Sequence, residues 1–255
     1  MKRDACVLVV WIFAVVATSV ALAYEPQDGF DVVNEIMNTT IPEEYAPEIV
    51  PEKFGPVIDN PYSSFPVGKR LVYQAETHEG LERIEVEATA ETKLVMGVET
   101  MVVRHREWLD GVLVEDTRDF LAQDERGNVW YFGEEVDNYA DGEIDNHDGA
   151  WLAGENGAQP GLWMMAVPVE GVSYHQEYLP GEAEDMALVK VVGLSMTIQG
   201  VVYDSCIKVM EWSPLEPGTR EHEYYCQEIS GLVREENIQN GERMELIGIE
   251  GDDSF

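Results

Sequence analysis

From Pro61 to about residue 250, apolar and polar positions alternate in short runs rich in β-branched and aromatic residues. RLVYQAET, ERIEVEATAE, ETMVVRHREWL, VLVEDTRDFLAQD and NVWYFGE follow one another with short breaks. SYHQEYL, MALVKVVGLSMTI, CIKVMEW, EHEYYCQ, LVREENI and RMELIGI repeat the pattern further on. Alternation with a period of two places successive side chains on opposite faces of a strand. The breaks carry turn chemistry at Glu79-Gly80, Asp110-Gly111, Asp124 to Asn128, Asp141-Gly142 and Asn240-Gly241. No stretch beyond residue 60 keeps a helical period. The pattern predicts one all-β domain over 61–250, with successive antiparallel strands forming a strongly curved sheet or partly open barrel.

Two segments break the alternation. Residues 149–168 intersperse Gly149, Gly154, Gly157 and Gly161 with Trp151, Trp163, Met164 and Met165. This reads as a long Gly-rich loop, either a plug on the open side of the sheet or a lid over an apolar ligand. Residues 24–60 carry many carboxylates, one Lys (Lys53) and five prolines between Pro26 and Pro56. Apart from FDVVNEIMN, a candidate short helix, this zone reads as an acidic spacer, mobile to about Asn60. Asn38-Thr39-Thr40 matches the glycosylation triplet, and residues 251–255 form an acidic tail.

The start, MKRDACVLVVWIFAVVATSVALA, joins a basic tip, an apolar run and a small-x-small ending. It reads as a secretory signal peptide cut after Ala23; a retained membrane anchor is the alternative. The expected location is therefore periplasmic or extracellular. The net charge of −34 repels phosphate backbones and anionic membrane surfaces, so nucleic acid is excluded as a partner. Salt adaptation, cation binding and plain solubility remain as reasons for the acidity.

Cys206 and Cys226 remain beyond the leader, where disulfides persist in exported proteins. A hairpin centred on residue 216 sets Cys206 opposite Cys226, Met210 opposite His222 and Glu211 opposite Glu221. Opposed side chains are close enough for a disulfide.

GEEVDNYADGEIDNHDGAW, residues 133–151, is dense in carboxylates. It fits an EF-hand loop poorly, because Tyr139 falls where a ligand is needed. An Asp141-Gly142 hairpin places Tyr139 opposite Ile144 and leaves a charged edge that resists aggregation. His175 and Glu177 share a strand face and make half of a metal site. Glu182, Glu184 and Asp185 follow, and Glu211 faces Glu221. These five carboxylates are the candidate site for a divalent cation such as calcium, with Arg220 and Arg234 as possible neutralisers. No nucleophile elbow, phosphate loop, His-Glu-x-x-His or Cys-x-x-Cys occurs, so no enzyme is expected.

NPYSSFPVGKRLVYQAETHEG, FLAQDERGNVWYFGE, YHQEYLPGEAEDMA and CIKVMEWSPLEPGTREHEYYCQEISGLVREE together resemble a family of uncharacterised exported β-rich proteins of prokaryotes. The resemblance spans residues 60 to 249 and implies export and an antiparallel sheet, with no assigned activity. Similar openings occur in proteins akin to the half-barrel carriers of lipoproteins and lipids. The sequence thus predicts an exported non-catalytic binding protein, for a divalent cation or for an apolar small molecule or lipid on a half-barrel face. A structural or adhesive surface protein is the remaining alternative.

Overall fold

The computed structural model describes residues 45–251. The leader, residues 24–44 of the spacer, the Asn38 triplet and residues 252–255 of the tail lie outside the described residues.

Alternation builds a long antiparallel meander. β4 (Arg70–Glu76), β5 (Leu81–Val95), β6 (Val98–Leu109), β7 (Val112–Asp124) and β8 (Val129–Ala140) pair in sequence order. A second meander runs through β14 (Met186–Ile198), β15 (Val201–Trp212), β16 (Glu221–Cys226), β17 (Gly231–Asn237) and β18 (Arg243–Glu250). β18 returns to pair with β4, which joins the two meanders into one sheet. The fold is all-β, and the sheet is nearly closed, barrel-like, with one open seam.

The seam is spanned by chain continuity. β12 (Ser173–His175) pairs with β14 at one end of the sheet, while β13 (Glu177–Tyr178) pairs with β11 (Gln159–Met164) at the other. Gln176 lies between them, and the backbone N–H groups of Gln176 and Glu177 both donate to Asp185 O. SYHQEYL, expected as one strand, is therefore broken at Gln176, because its two halves serve opposite ends of the sheet. Gly161 makes the close approach possible: a Cβ there would lie 1.9 Å from Gln176 O.

Cys206 and Cys226 are directly opposed and bridged, and Met210↔His222 and Glu211↔Glu221 hold the expected register. The acidic stretch folds as expected too. β8 turns at Asp141-Gly142, with φ of 55° and 83°, into β9 (Glu143–Asn146), and Tyr139 pairs with Ile144.

Two expectations need correction. The Gly-rich segment is not a long loop: β10 (Trp151–Leu152) and β11 both pair with β8. Trp151 and Met164 are buried, while Trp163 and Met165 are half-buried. Large apolar side chains at the rim seal the core better in strands than in an unpaired loop, whose backbone would stay unsatisfied. The spacer also ends before Asn60. β1 (Phe54–Gly55) pairs with β7, and β2 (Asp59–Asn60) pairs with β3 (Ser63–Ser64). Ile58 is buried, the Tyr45 hydroxyl donates to Pro160 O, and Phe54 packs edge-on against Trp130 and Phe132. A few aromatic and aliphatic anchors hold this acidic segment on the sheet despite its composition.

Candidate site: a belt of buried carboxyls

Strand parity divides the charges between two faces. In β6, Val103, His105 and Glu107 point inward, and Arg104 and Arg106 point outward. The outward arginines meet outward acids. Arg104 bonds Asp116, Arg106 and Arg70 bond Glu85 and Glu87, Arg118 bonds Glu135 and Asp137, and Arg234 bonds Glu245. A membrane-embedded barrel needs an apolar outer band, and this lattice of charge is the reverse.

Inward, a different set collects. Glu82 (β5), Glu107 (β6), Glu115 and Asp119 (β7), Glu134 (β8), Glu177 (β13), Glu223 (β16) and Glu235 (β17) are all buried. Half-buried Asp185, Glu211 and Glu221 join them. Each lies near enough to its neighbours to raise their pKa, and the contacts run in a closed circuit. Glu115 neighbours Asp119, Asp119 and Glu177 act on Glu134, and Asp185 acts on Glu177 and Glu211. Glu223 acts on Glu211, Glu221 and Glu223 act on Glu235, and Glu82 acts on Glu235 and Glu107. Glu115 acts on Glu107 and closes the belt.

Burial is the first cause of the raised pKa values, and like-charge repulsion adds to it. Asp119 and Glu115 are pushed up to about 7, Asp185 to about 6 and Glu221 to about 8. Glu107, Glu134, Glu177, Glu211 and Glu235 are held well above the carboxylate range.

A few neutral donors support the belt. Tyr131 OH donates to Asp119 at 2.9 Å, Tyr225 OH to Glu223 at 2.8 Å, Thr117 Oγ1 to Glu115 at 2.8 Å and Trp151 Nε1 to Glu177 at 3.1 Å. Gln176 Nε2 donates to Glu211. No N–H or hydroxyl donor reaches either carboxyl oxygen of Glu107 or Glu235. A buried acid left this way costs stability unless it stays protonated or receives a cation.

Of the five carboxylates expected to form a cation site, the structure brings three together: Asp185, Glu211 and Glu221. Glu182 is exposed, and Glu184 accepts the Gly181 N–H in a surface turn. His175 and Glu177 part at the strand break. The imidazole packs in a three-ring cluster with Tyr45 and Tyr178, at 4.6 and 5.1 Å, and the Glu177 carboxyl turns to Trp151. Among the described residues, the three-donor group with ligand atoms within 4.8 Å is Cys206, Cys226 and Glu228, whose thiols are spent in the disulfide. Trp151 and Trp163 act as structural anchors: both rings pack on Tyr131, and Trp163 Nε1 donates to Ser63 Oγ.

Sequence reading missed Glu82, Glu107, Glu115, Asp119, Glu134, Glu223 and Glu235. The signal was present as parity. Glu82 shares its face with Ile84, Val86 and Ala88, and Glu235 shares its face with Val233, so acids stand at core positions of otherwise ordinary strands.

The fold and the belt define a nearly closed antiparallel β-barrel whose interior is lined with acids. No family model matches the chain, and no curated protein matches it. Among solved structures, it is similar to a candidate lipoprotein from Parabacteroides distasonis. The identity is 12% and the TM-score 0.39, over 74% of this chain and 98% of that one.

Proposed function

We propose that this chain is an exported, non-catalytic protein that binds cations in the carboxyl-lined interior of its barrel. One observation carries the reading: a closed circuit of buried acids whose described donors are neutral, while the outward arginines are matched to outward acids. A cation entering the belt replaces the protons that its acids retain and relieves their repulsion. Calcium is the first candidate metal, held by Asp185, Glu211 and Glu221 with nearby Glu223. Three oxygens would have to close in around it, since calcium requires oxygen ligands at about 2.3–2.6 Å. The disulfide supports an oxidising, exported setting.

The test is thermal unfolding of the mature protein at pH 8 with millimolar CaCl₂ or MgCl₂ against NaCl of equal ionic strength. A divalent-specific rise in Tm is expected. Asp185→Asn combined with Glu221→Gln should remove it, and Asp137→Asn combined with Asp145→Asn on the outer hairpin should not. A second reading, carriage of an apolar ligand, draws on the apolar walls of the cavity around Tyr73, Trp163 and Leu232. Native mass spectrometry that finds lipid and no cation would favour it.

A further inference from the structure

One cavity of the barrel interior reaches the belt. It has a volume of about 50 Å³ and is walled by Tyr73, Trp163 and Tyr225. Asp119, Glu223 and His105 also line it, among apolar residues such as Ile84 and Met244. The aromatic rings are fixed by their own bonds: Tyr73 OH donates to Leu232 O at 3.0 Å, Tyr225 OH to Glu223 Oε2 at 2.8 Å, and Trp163 Nε1 to Ser63 Oγ at 2.9 Å. The polar lining groups are less completely bonded. Glu223 is 0% exposed and no N–H or hydroxyl reaches its Oε1, while His105 is 5% exposed with Nε2 likewise unmet.

We infer that this cavity is a recognition site for the ammonium head of a small organic amine. The proposal rests on the cation-binding reading above and names the chemical class. Three physical points select an organic cation over a metal here. Aromatic faces attract ammonium and alkylammonium groups through their quadrupoles and give a hard metal no ligand atom. Asp119 on β7 and Glu223 on β16 are the two carboxyls lining the cavity, too few carboxylate oxygens for calcium, and Asp119 Oδ1 already accepts from Tyr131. The volume holds a few waters, or one compact head group of a few heavy atoms. The unmet Glu223 oxygen takes an N–H of the ammonium, and neutral His105 Nε2 offers a second acceptor.

The experiment titrates the mature protein with methylammonium chloride and with tetramethylammonium chloride. CaCl₂ and NaCl serve as references at equal ionic strength, and tryptophan fluorescence and Tm are recorded together. A saturable fluorescence change with a rise in Tm is expected for at least one ammonium salt. Glu223→Gln and Asp119→Asn should each weaken its binding about tenfold or more, and Asp145→Asn on the outer hairpin should not. Circular dichroism of the variants separates lost binding from lost fold; if one fails to fold, the other carries the test. Stabilisation by calcium with no response to either ammonium salt overturns this inference and leaves the broader reading standing. No response to any cation overturns both. Ammonium binding that is unchanged in a folded Glu223→Gln or Asp119→Asn variant overturns the assignment to this cavity.

Discussion

At the scale of single residues, what matters is how closely a side chain approaches a backbone or another charge. Gly161 is the clearest case, because a methyl group there would penetrate the Gln176 carbonyl at the seam. Gly161→Ala should cost about 3 kcal/mol or more, seen as a large fall in Tm, whereas Gly157→Ala, whose Cβ would meet nothing within 4 Å, should cost less. At Gly157 the positive φ of 91° leaves only backbone strain. Gly133 plays a similar part in β8, where a Cβ would lie 2.4 Å from Trp151 O. Glu115 illustrates charge. Its pKa is raised from 4.5 to about 7 by burial, so its contribution to stability is full below about 4.5 and is lost as the pH rises towards 7. That loss is on the order of 3 kcal/mol by pH 8. Glu115→Gln keeps the oxygen that accepts from Thr117 and cannot ionise. Its Tm should exceed that of the parent at pH 8 and match it at pH 4.5; a parallel offset at both values would count against the charge argument.

At the scale of elements, the β15–β16 hairpin shows what register alone can fix. The Cys206–Cys226 bridge closes a loop of 20 residues and is buried in a hydrophobic cluster with Tyr203, Tyr224 and Val233. By the chain-entropy model, its removal should cost about 3 kcal/mol. Cys206→Ser with Cys226→Ser should lower Tm accordingly, and the denatured, unreduced parent should show no titratable thiol at these positions. The N-terminal segment is the opposite case. Its composition suggests mobility, yet Tyr45, Phe54 and Ile58 dock on the barrel. Limited proteolysis should therefore spare the chain from about residue 45 onward, and cleavage between 45 and 60 as early as in the preceding residues would refute the docking.

At the scale of the whole molecule, the belt sets the pH response. Its carboxyls have raised folded pKa values, so each loses stabilising effect as the pH rises from about 4 to its folded value, near 7 for Asp119 and near 8 for Glu221. Buried His105 and half-buried His222 act in the other direction. Burial lowers both to about 4, and their contributions are lost as the pH falls below about 6.5. Above pH 6.5 the histidines are silent and the acids outweigh buried Lys69, whose pKa, lowered to about 8, acts in the other direction only at the top of the window. Tm should fall between pH 6.5 and 8, and a cation that occupies the belt should flatten that slope. A Tm that rises across this window would show that the acids are ionised without penalty.

The sequence by itself determined the class of fold, the order of most strands, the Asp141-Gly142 hairpin and the disulfide register. All of these follow from local alternation, turn chemistry and the pairing of chain neighbours. It also placed Asp185, Glu211 and Glu221 near one another, through a hairpin and a short connection. Only the tertiary structure decided that the sheet curls until β12 and β13 serve its two ends, which splits His175 from Glu177. The same closure joins Glu107 on β6 to Glu235 on β17 across intervening strands, and Asp185 to Glu177 across the seam. Parity says which face an acid takes. Curvature decides whether that face looks into water or into a ring of other acids, because it arises from twist and packing summed over the whole sheet.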